Sequence, residues 1–197
     1  ILSNGDNPMT LPLVQQAHAA LSQLLAAGDL AIDATVGNGH DTLFLACAVG
    51  EGGTVYGFDI QEAALDTAWR RLQDEGLEGR VSLYHAGHEA MAAVLPESVH
   101  GRVKAVMFNL GYLPGGDKQR TTAMNTTLAA LGQALSLLAP GGAISVLAYT
   151  GHPGGREEAE AVKAWARSLA SDYYQVGIEI PSSRRGAAPE WVWVRRC

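Results

Sequence analysis

The sequence predicts an α/β fold, a mostly parallel sheet with helices on both faces that closes on an antiparallel hairpin. Three observations carry that prediction. Short apolar runs alternate with helical runs, a Gly-rich turn follows the first apolar run, and the last two strand-like runs are joined by only a short loop. Such alternation marks parallel strands whose crossover helices cover both faces of the sheet.

From Leu11 to Ala27 apolar residues recur at helical spacing (Leu13, Ala17, Leu21, Leu24, Leu25), and Gly28 supplies a stop. Strands and helices are then expected in turn: AIDATV, Thr42 to Val49, TVYGFDI, Gln61 to Glu75, VSLYHAG, His88 to Leu95 and VKAVMFNL. Thr121 to Leu138 reads as a long helix, Ala139-Pro140-Gly141-Gly142 as its terminator, AISVLAYT as a fifth strand and Arg156 to Ala170 as a helix. YYQVGIEIP and EWVWVRR are separated by SSRRGAAP, too short for a helical crossover, so they must pair antiparallel. Five parallel strands plus that hairpin make the seven-stranded layout of the Rossmann-like class I S-adenosylmethionine (SAM) methyltransferases. An ordinary NAD domain lacks the hairpin. One domain over residues 1–197 is expected, with residues 1–28 forming a helical region packed on it.

Apolar residues make up 47% and charged residues 17% of the chain, which suits a packed core and argues against extended disorder. The net charge of −6 argues against general affinity for nucleic acid, so any RNA contact must be local. Cys47 and Cys197 lie far apart with no CxxC spacing, which fits a reducing cytoplasm. No apolar run approaches the roughly 20 residues that span a bilayer, and no export signal opens the chain; neither membrane nor secretion is expected. The first residue is Ile1, as in a trimmed N-terminus. Low charge and exposed apolar surface make a homodimer the expected assembly.

AIDATV runs into GNGHDT, placing Asp33 at a strand end and Gly37 and Gly39 in the turn that opens the next helix. Glycine there admits positive φ and close approach of a ligand. Asp41 stands at the helix start, where dinucleotide folds leave a free N-terminus for pyrophosphate. A carboxylate would repel that group and suit the positive sulfonium and amino groups of SAM; it would equally serve as a plain N-cap. His40 beside it reads as well as a surface residue. Asp59 closes the second strand about 20 residues on, where an acid can accept from both ribose hydroxyls or cap the helix from Gln61. HAGHE ends the third strand and puts Gly87, His88 and Glu89 beside the crevice. His85 and His88 have a metal-like spacing without further ligands, so no metal is expected.

VKAVMFNLGYLPGGDK carries the most chemistry. Asn109 falls at the carboxyl end of the fourth strand, where open α/β sheets bind ligands. Its amide oxygen and the following carbonyl can hold an amine N–H and leave the nitrogen lone pair free for attack. Tyr112 offers a flat face for a base. Asn109-Leu110-Gly111-Tyr112 thus resembles the Asn-Pro-Pro-Tyr loop of amino-group methyltransferases with both prolines replaced.

DATVGNGHDT, GFDIQ, HAGHE, FNLGYLPGGDK and LAPGGAISVLAYTGHPGG together resemble the bacterial "putative rRNA methylase" family, whose members are regarded as tRNA methyltransferases converting a wobble aminomethyl-2-thiouridine to its methylaminomethyl form. The resemblance runs from about Met9 to the final strand. It implies SAM contacts at Asp33, Gly37, Asn38, Gly39, His40, Asp41, Asp59, Gln61, His88 and Asn109, with Thr42, Ile60 and Gly87 in the same set. It implies an acceptor near Leu110, Gly111, Tyr112, Tyr149 and His152, with Tyr149 or His152 as candidates to relay a proton. Lys118, Arg120, Arg184 and Arg185 are candidates to grip the backbone of a tRNA anticodon region, or are plain surface charges. The segment Gly-Ala-Ala-Pro-Glu departs from the more polar loop of relatives. Methyl transfer to rRNA or to a small amine, an NAD-dependent oxidoreductase and a non-catalytic SAM-binding protein stand as alternatives.

Overall fold

The computed structural model of the chain describes residues 11–111, 122–181 and 188–197. Helix α1 (Leu13–Leu24) precedes β1 (Leu30–Asp33), α2 (His40–Ala48), β2 (Thr54–Asp59), α3 (Glu62–Asp74) and β3 (Val81–His85). The second half holds α4 (Met91–Val94), β4 (Val103–Leu110), α5 (Met124–Leu137), β5 (Leu138–Ala148), α6 (Gly155–Ser168), β6 (Tyr174–Glu179) and β7 (Glu190–Arg196). The seven strands form one sheet in the order β3-β2-β1-β4-β5-β7-β6. Strands β1 to β5 are parallel, and β7 is antiparallel to both β5 and β6.

Alternate residues of the central strands serve opposite faces, as a pleat requires. Ala31, Ala105 and Met107 pack with Leu21, Leu45 and Leu72 from α1, α2 and α3. Ile32, Val106 and Phe108 pack with Met91, Leu131 and Val162 from α4, α5 and α6. Helix α1 is tied to the far half of the sheet as well, through Ala17 against Leu147 and Trp191. Strand order reverses between β1 and β4, so the ends of those strands open a crevice where Asp33 pairs in register with Met107, two residues before Asn109. No helix among the described residues is long and apolar enough to cross a membrane.

Three readings of the sequence need correction. His88 to Leu95 is not one helix but a 3-10 turn over His88–Ala90 followed by the single turn α4. Ala139-Pro140-Gly141-Gly142 does not separate α5 from β5, because β5 already begins at Leu138 and carries these residues as an irregularity: Val103 pairs with Leu138 while Ala105 pairs with Ala143. Gly141 at φ +70 turns the chain there, and a Cβ on Gly142 would lie 3.0 Å from three carbonyl oxygens, so the excess backbone folds in tightly. Asp41 is not the N-cap of α2. That position is Gly39 in the left-handed region, and the Asp41 side chain is bound elsewhere.

Candidate active site

The turn between β1 and α2 is built on Gly37 at φ +51 and Gly39 at φ +79. At Gly39 a second constraint applies, since a Cβ would stand 2.7 Å from both Cα and Cβ of Ala68. The absence of a side chain lets α2 start hard against α3. From α3, Arg71 donates through Nε to the Asn38 carbonyl at 2.9 Å, and its Nη2 lies 3.4 Å from Nε2 of the exposed His40. A residue of α3 thereby holds the shape of the turn.

Three carboxylates gather around it. Asp33 is 1% exposed; Oδ1 accepts the Thr35 amide at 3.1 Å and Oδ2 accepts the Thr42 hydroxyl at 2.6 Å. Burial, followed by the charge of Asp41, pushes the Asp33 carboxyl up to about 7, against the pull of its two hydrogen bonds and with a further push from Asp59. Thr42 is fully buried, so it acts on the crevice through Asp33. Asp59 straps two turns together, accepting the Gly37 amide on Oδ2 and the Gln61 amide on Oδ1, each at 2.8 Å. Asp59 does not cap α3: the N-cap is Gln61, with no side-chain cap bond, and Asp59 takes that residue's own amide in the turn before the helix. Each oxygen keeps a lone pair for another donor. Ile60 beside it is 54% exposed.

His88 sits beneath the crevice. It is 8% exposed, tilts against Phe108 and donates from Nδ1 to the Ala34 carbonyl at 3.2 Å. Burial lowers its basicity, so the ring is neutral with the proton on Nδ1. Its described contacts buttress the start of the Gly turn from below. A Cβ on Gly87 would strike the Glu89 carboxylate, which keeps this approach narrow. Among the described residues no group of three or more His, Cys, Asp or Glu side chains could hold a metal ion.

On the acceptor side, the Asn109 amide N–H donates to Thr35 Oγ1 at 2.7 Å and its side-chain Nδ2 donates to Asp41 Oδ2 at 3.1 Å. Leu110 is fully buried in the core and its carbonyl accepts the Tyr149 amide at 3.1 Å. The carbonyl after Asn109 therefore serves the β4–β5 pairing, and the Asn109 side chain is held through its nitrogen. Gly111, Tyr149 and His152 converge: a methyl on Gly111 would lie 3.6 Å from Tyr149 Cβ and 3.9 Å from His152 Nε2. Burial and the nearby Asp41 charge raise the half-buried Tyr149 phenol, so it keeps its proton at neutral pH. Tyr112, Lys118, Arg120, Arg184 and Arg185 lie outside the described residues.

Sequence reasoning missed His18 of α1, whose Nε2 donates to Asp41 Oδ1 at 2.7 Å, together with Thr35 and Arg71. It also missed Glu158 of α6, 2% exposed, which accepts hydroxyls from Thr122 at 2.7 Å and Thr127 at 2.6 Å. Thr122 in turn donates its amide to the Gly111 carbonyl, so Glu158 ties α6 and the start of α5 to the end of β4. None of these carries a local signal; each acts across the fold.

Residues 55–195 match the family described as "Putative rRNA methylase". Over 162 residues, 78% of this chain, the sequence is 44% identical to the chloroplastic tRNA (mnm(5)s(2)U34)-methyltransferase of Arabidopsis thaliana, and the match spans 58% of that relative's length. A "putative rRNA-methylase" from Clostridium thermocellum superposes with a TM-score of 0.90 at 38% identity, covering 96% of this chain and 100% of that one. A "putative methyltransferase" from Streptococcus mutans, solved in complex with SAH, superposes with a TM-score of 0.85 at 32% identity, covering 96% of this chain and 100% of that one. With its sheet order and its crevice at the ends of β1 and β4, the chain belongs to this rRNA methylase family and has the Rossmann-like class I methyltransferase fold.

Proposed function

We propose that this protein is a SAM-dependent methyltransferase whose acceptor is an amine, the aminomethyl group of a wobble 2-thiouridine in the anticodon region of a tRNA. The observation that carries the cofactor assignment is the gathering of three acids, Asp33, Asp41 and Asp59, at one crevice, where the charges of Asp41 and Asp59 add to burial in raising the Asp33 carboxyl. A crevice with three carboxylates that feel one another favours a cation and disfavours the pyrophosphate of NAD. SAM is such a ligand, and when bound it supplies a sulfonium-activated methyl group. Asp59 has acceptor capacity for a ribose diol, Ile60 gives apolar cover beside it, and Asp33 and Asp41 face the positive end.

The chain's own part in catalysis is positioning. A side-chain amide bound through its nitrogen to Asp41 offers its oxygen to a donor, which suits an amine N–H. The amine must be neutral at attack. Tyr149 keeps its proton and is cast as a hydrogen-bond donor beside Gly111; His152 is the remaining candidate for proton relay. Tyr112 as a stacking platform and Lys118, Arg120, Arg184 and Arg185 as backbone contacts complete the reading. The tRNA assignment is supported by the Arabidopsis relative's stated activity. The family's description keeps methylation of rRNA, or of a small amine, as the second reading.

The same reading takes residues 1–197 as one domain in a reducing cytoplasm, in keeping with two free cysteines. It also takes the protein as a homodimer, supported by Tyr173 and Ile180, 68% and 52% exposed, flanking the edge strand β6. Light scattering at micromolar concentration tests the dimer. Nucleoside mass spectrometry of tRNA and rRNA from cells with and without the protein tests the function: a wobble methylaminomethyl group that vanishes with the protein supports it, and an unchanged tRNA profile rejects it.

A further inference from the structure

We propose that His18 is a positioning residue for methyl transfer, acting through Asp41 to turn the side-chain oxygen of Asn109 toward the acceptor; this rests on the methyltransferase reading above. Both oxygens of Asp41 are engaged, Oδ1 by His18 Nε2 at 2.7 Å and Oδ2 by Asn109 Nδ2 at 3.1 Å. The carboxylate is thus clamped between α1 and the end of β4. An ionised carboxylate only accepts hydrogen bonds, so it selects the amide nitrogen of Asn109 and repels the oxygen. Rotation of the amide would exchange a charge-assisted bond for a repulsive contact between oxygens.

His18 is itself held. Its ring lies 4.1 Å from that of Phe44 with the planes 3° apart, and Phe44 follows Asp41 by one turn on α2. Next to His18 in α1, Ala17 is fully buried against Leu147 and Trp191, and Leu21 is 3% exposed. The imidazole therefore reaches Asp41 from a fixed base. Nε2 carries a proton in one neutral tautomer and in the imidazolium, so the clamp does not depend on the histidine being charged. A helix outside the crevice thereby sets the direction of the group that meets the substrate.

The ring shape allows the donor to be removed while the packing stays. His18→Phe keeps a flat ring against Phe44 and deletes the N–H, whereas His18→Gln keeps a donor at similar reach. With tRNA carrying an unmethylated aminomethyl wobble uridine, His18→Phe should lower kcat by about ten- to a hundredfold, the scale of a misplaced catalytic group. The Kd for SAM should change much less than kcat, because Asp41 keeps its charge and the backbone of the turn at residues 37–39 is held by Asp59 and Arg71, not by His18. His18→Gln should recover most of the rate. A wild-type kcat in a folded His18→Phe protein would overturn the proposal, as would equal losses in His18→Phe and His18→Gln. A second readout needs no turnover: the side-chain amide signals of Asn109 in a 15N-labelled protein, identified by their loss in Asn109→Ala, should shift in His18→Phe and stay near the wild-type position in His18→Gln. Unchanged signals in His18→Phe would overturn the clamp. If wild-type protein methylates no acceptor, the methyltransferase reading falls, while the amide signals still decide whether His18 orients Asn109.

Discussion

The Thr42 hydroxyl donates a 2.6 Å hydrogen bond to Asp33 Oδ2, and this neutral partner does not offset the burial that holds the carboxyl near pH 7. Because the folded-state value lies above the unfolded one, the ligand-free fold binds the proton more tightly than the unfolded chain does. The resulting stability is full below about pH 4 and is lost as pH rises to about 7. Asp33→Asn should remove that slope, so the difference in melting temperature between variant and wild type should grow in the variant's favour from pH 5 to pH 8. A cationic ligand favours ionised Asp33, so SAM should bind more tightly across pH 6 to 8 and release protons. Calorimetry in buffers of unlike ionisation enthalpy measures that release, which should shrink in Asp33→Asn.

Asp59→Ala removes the acceptor shared by the Gly37 and Gln61 amides and the one proposed for the ribose. Leaving buried donors unpaired costs on the order of 1 to 3 kcal/mol, so SAM affinity should fall about 5- to 150-fold. Titration calorimetry on the folded variant reads the loss, and wild-type affinity would take Asp59 out of the site.

Asn109→Ala should separate rate from binding. The amide is assigned to the acceptor, so kcat should fall about a hundredfold or more while the Kd for SAM changes far less. Equal losses in both would make Asn109 a cofactor residue.

Gly39→Ala should destabilise the fold by about 2 to 4 kcal/mol, since it sets a methyl group into Ala68 and holds a non-glycine residue in the left-handed region. Urea unfolding should show a lower midpoint. Gly28→Ala, where φ is +90 with open space around the Cβ, should cost less and isolates the backbone contribution.

Reversing Lys118 and Arg120 to Glu should abolish methylation of tRNA while SAM binding persists, because a protein of net charge −6 depends on a few placed cations to hold phosphate. Full activity of the double variant on tRNA would reject that placement.

The β4 and β7 boundaries at Val103–Leu110 and Glu190–Arg196 were legible because each apolar run meets a clear break. The opening helix and the hairpin pairing followed from periodicity and loop length for the same reason. What stayed hidden depends on through-space contacts. His18 and Asp41 stand 23 residues apart, Asn109 and Asp41 68 apart, so no window could show that the acid at the helix start joins two distant elements. Asp41 looked like an N-cap because capping is the common use of an acid there; partners brought by α1 and β4 overrode it. Ala139-Pro140-Gly141-Gly142 looked like a loop because Pro and Gly usually break structure, and the pairing with β4 absorbed it as excess backbone.

The place of β7 between β5 and β6 bears on how the protein is made. Among the described strands β6 pairs only with β7, although β6 emerges from the ribosome first. Until β7 arrives, β6 has no partner and the outer edge of β5 stands open, carrying the same Leu147 that meets Trp191 in the finished fold. Completion of the sheet is therefore a threading event that waits for β7, and the nascent chain must carry an unguarded strand edge, a known invitation to aggregation, until Glu190–Arg196 closes it.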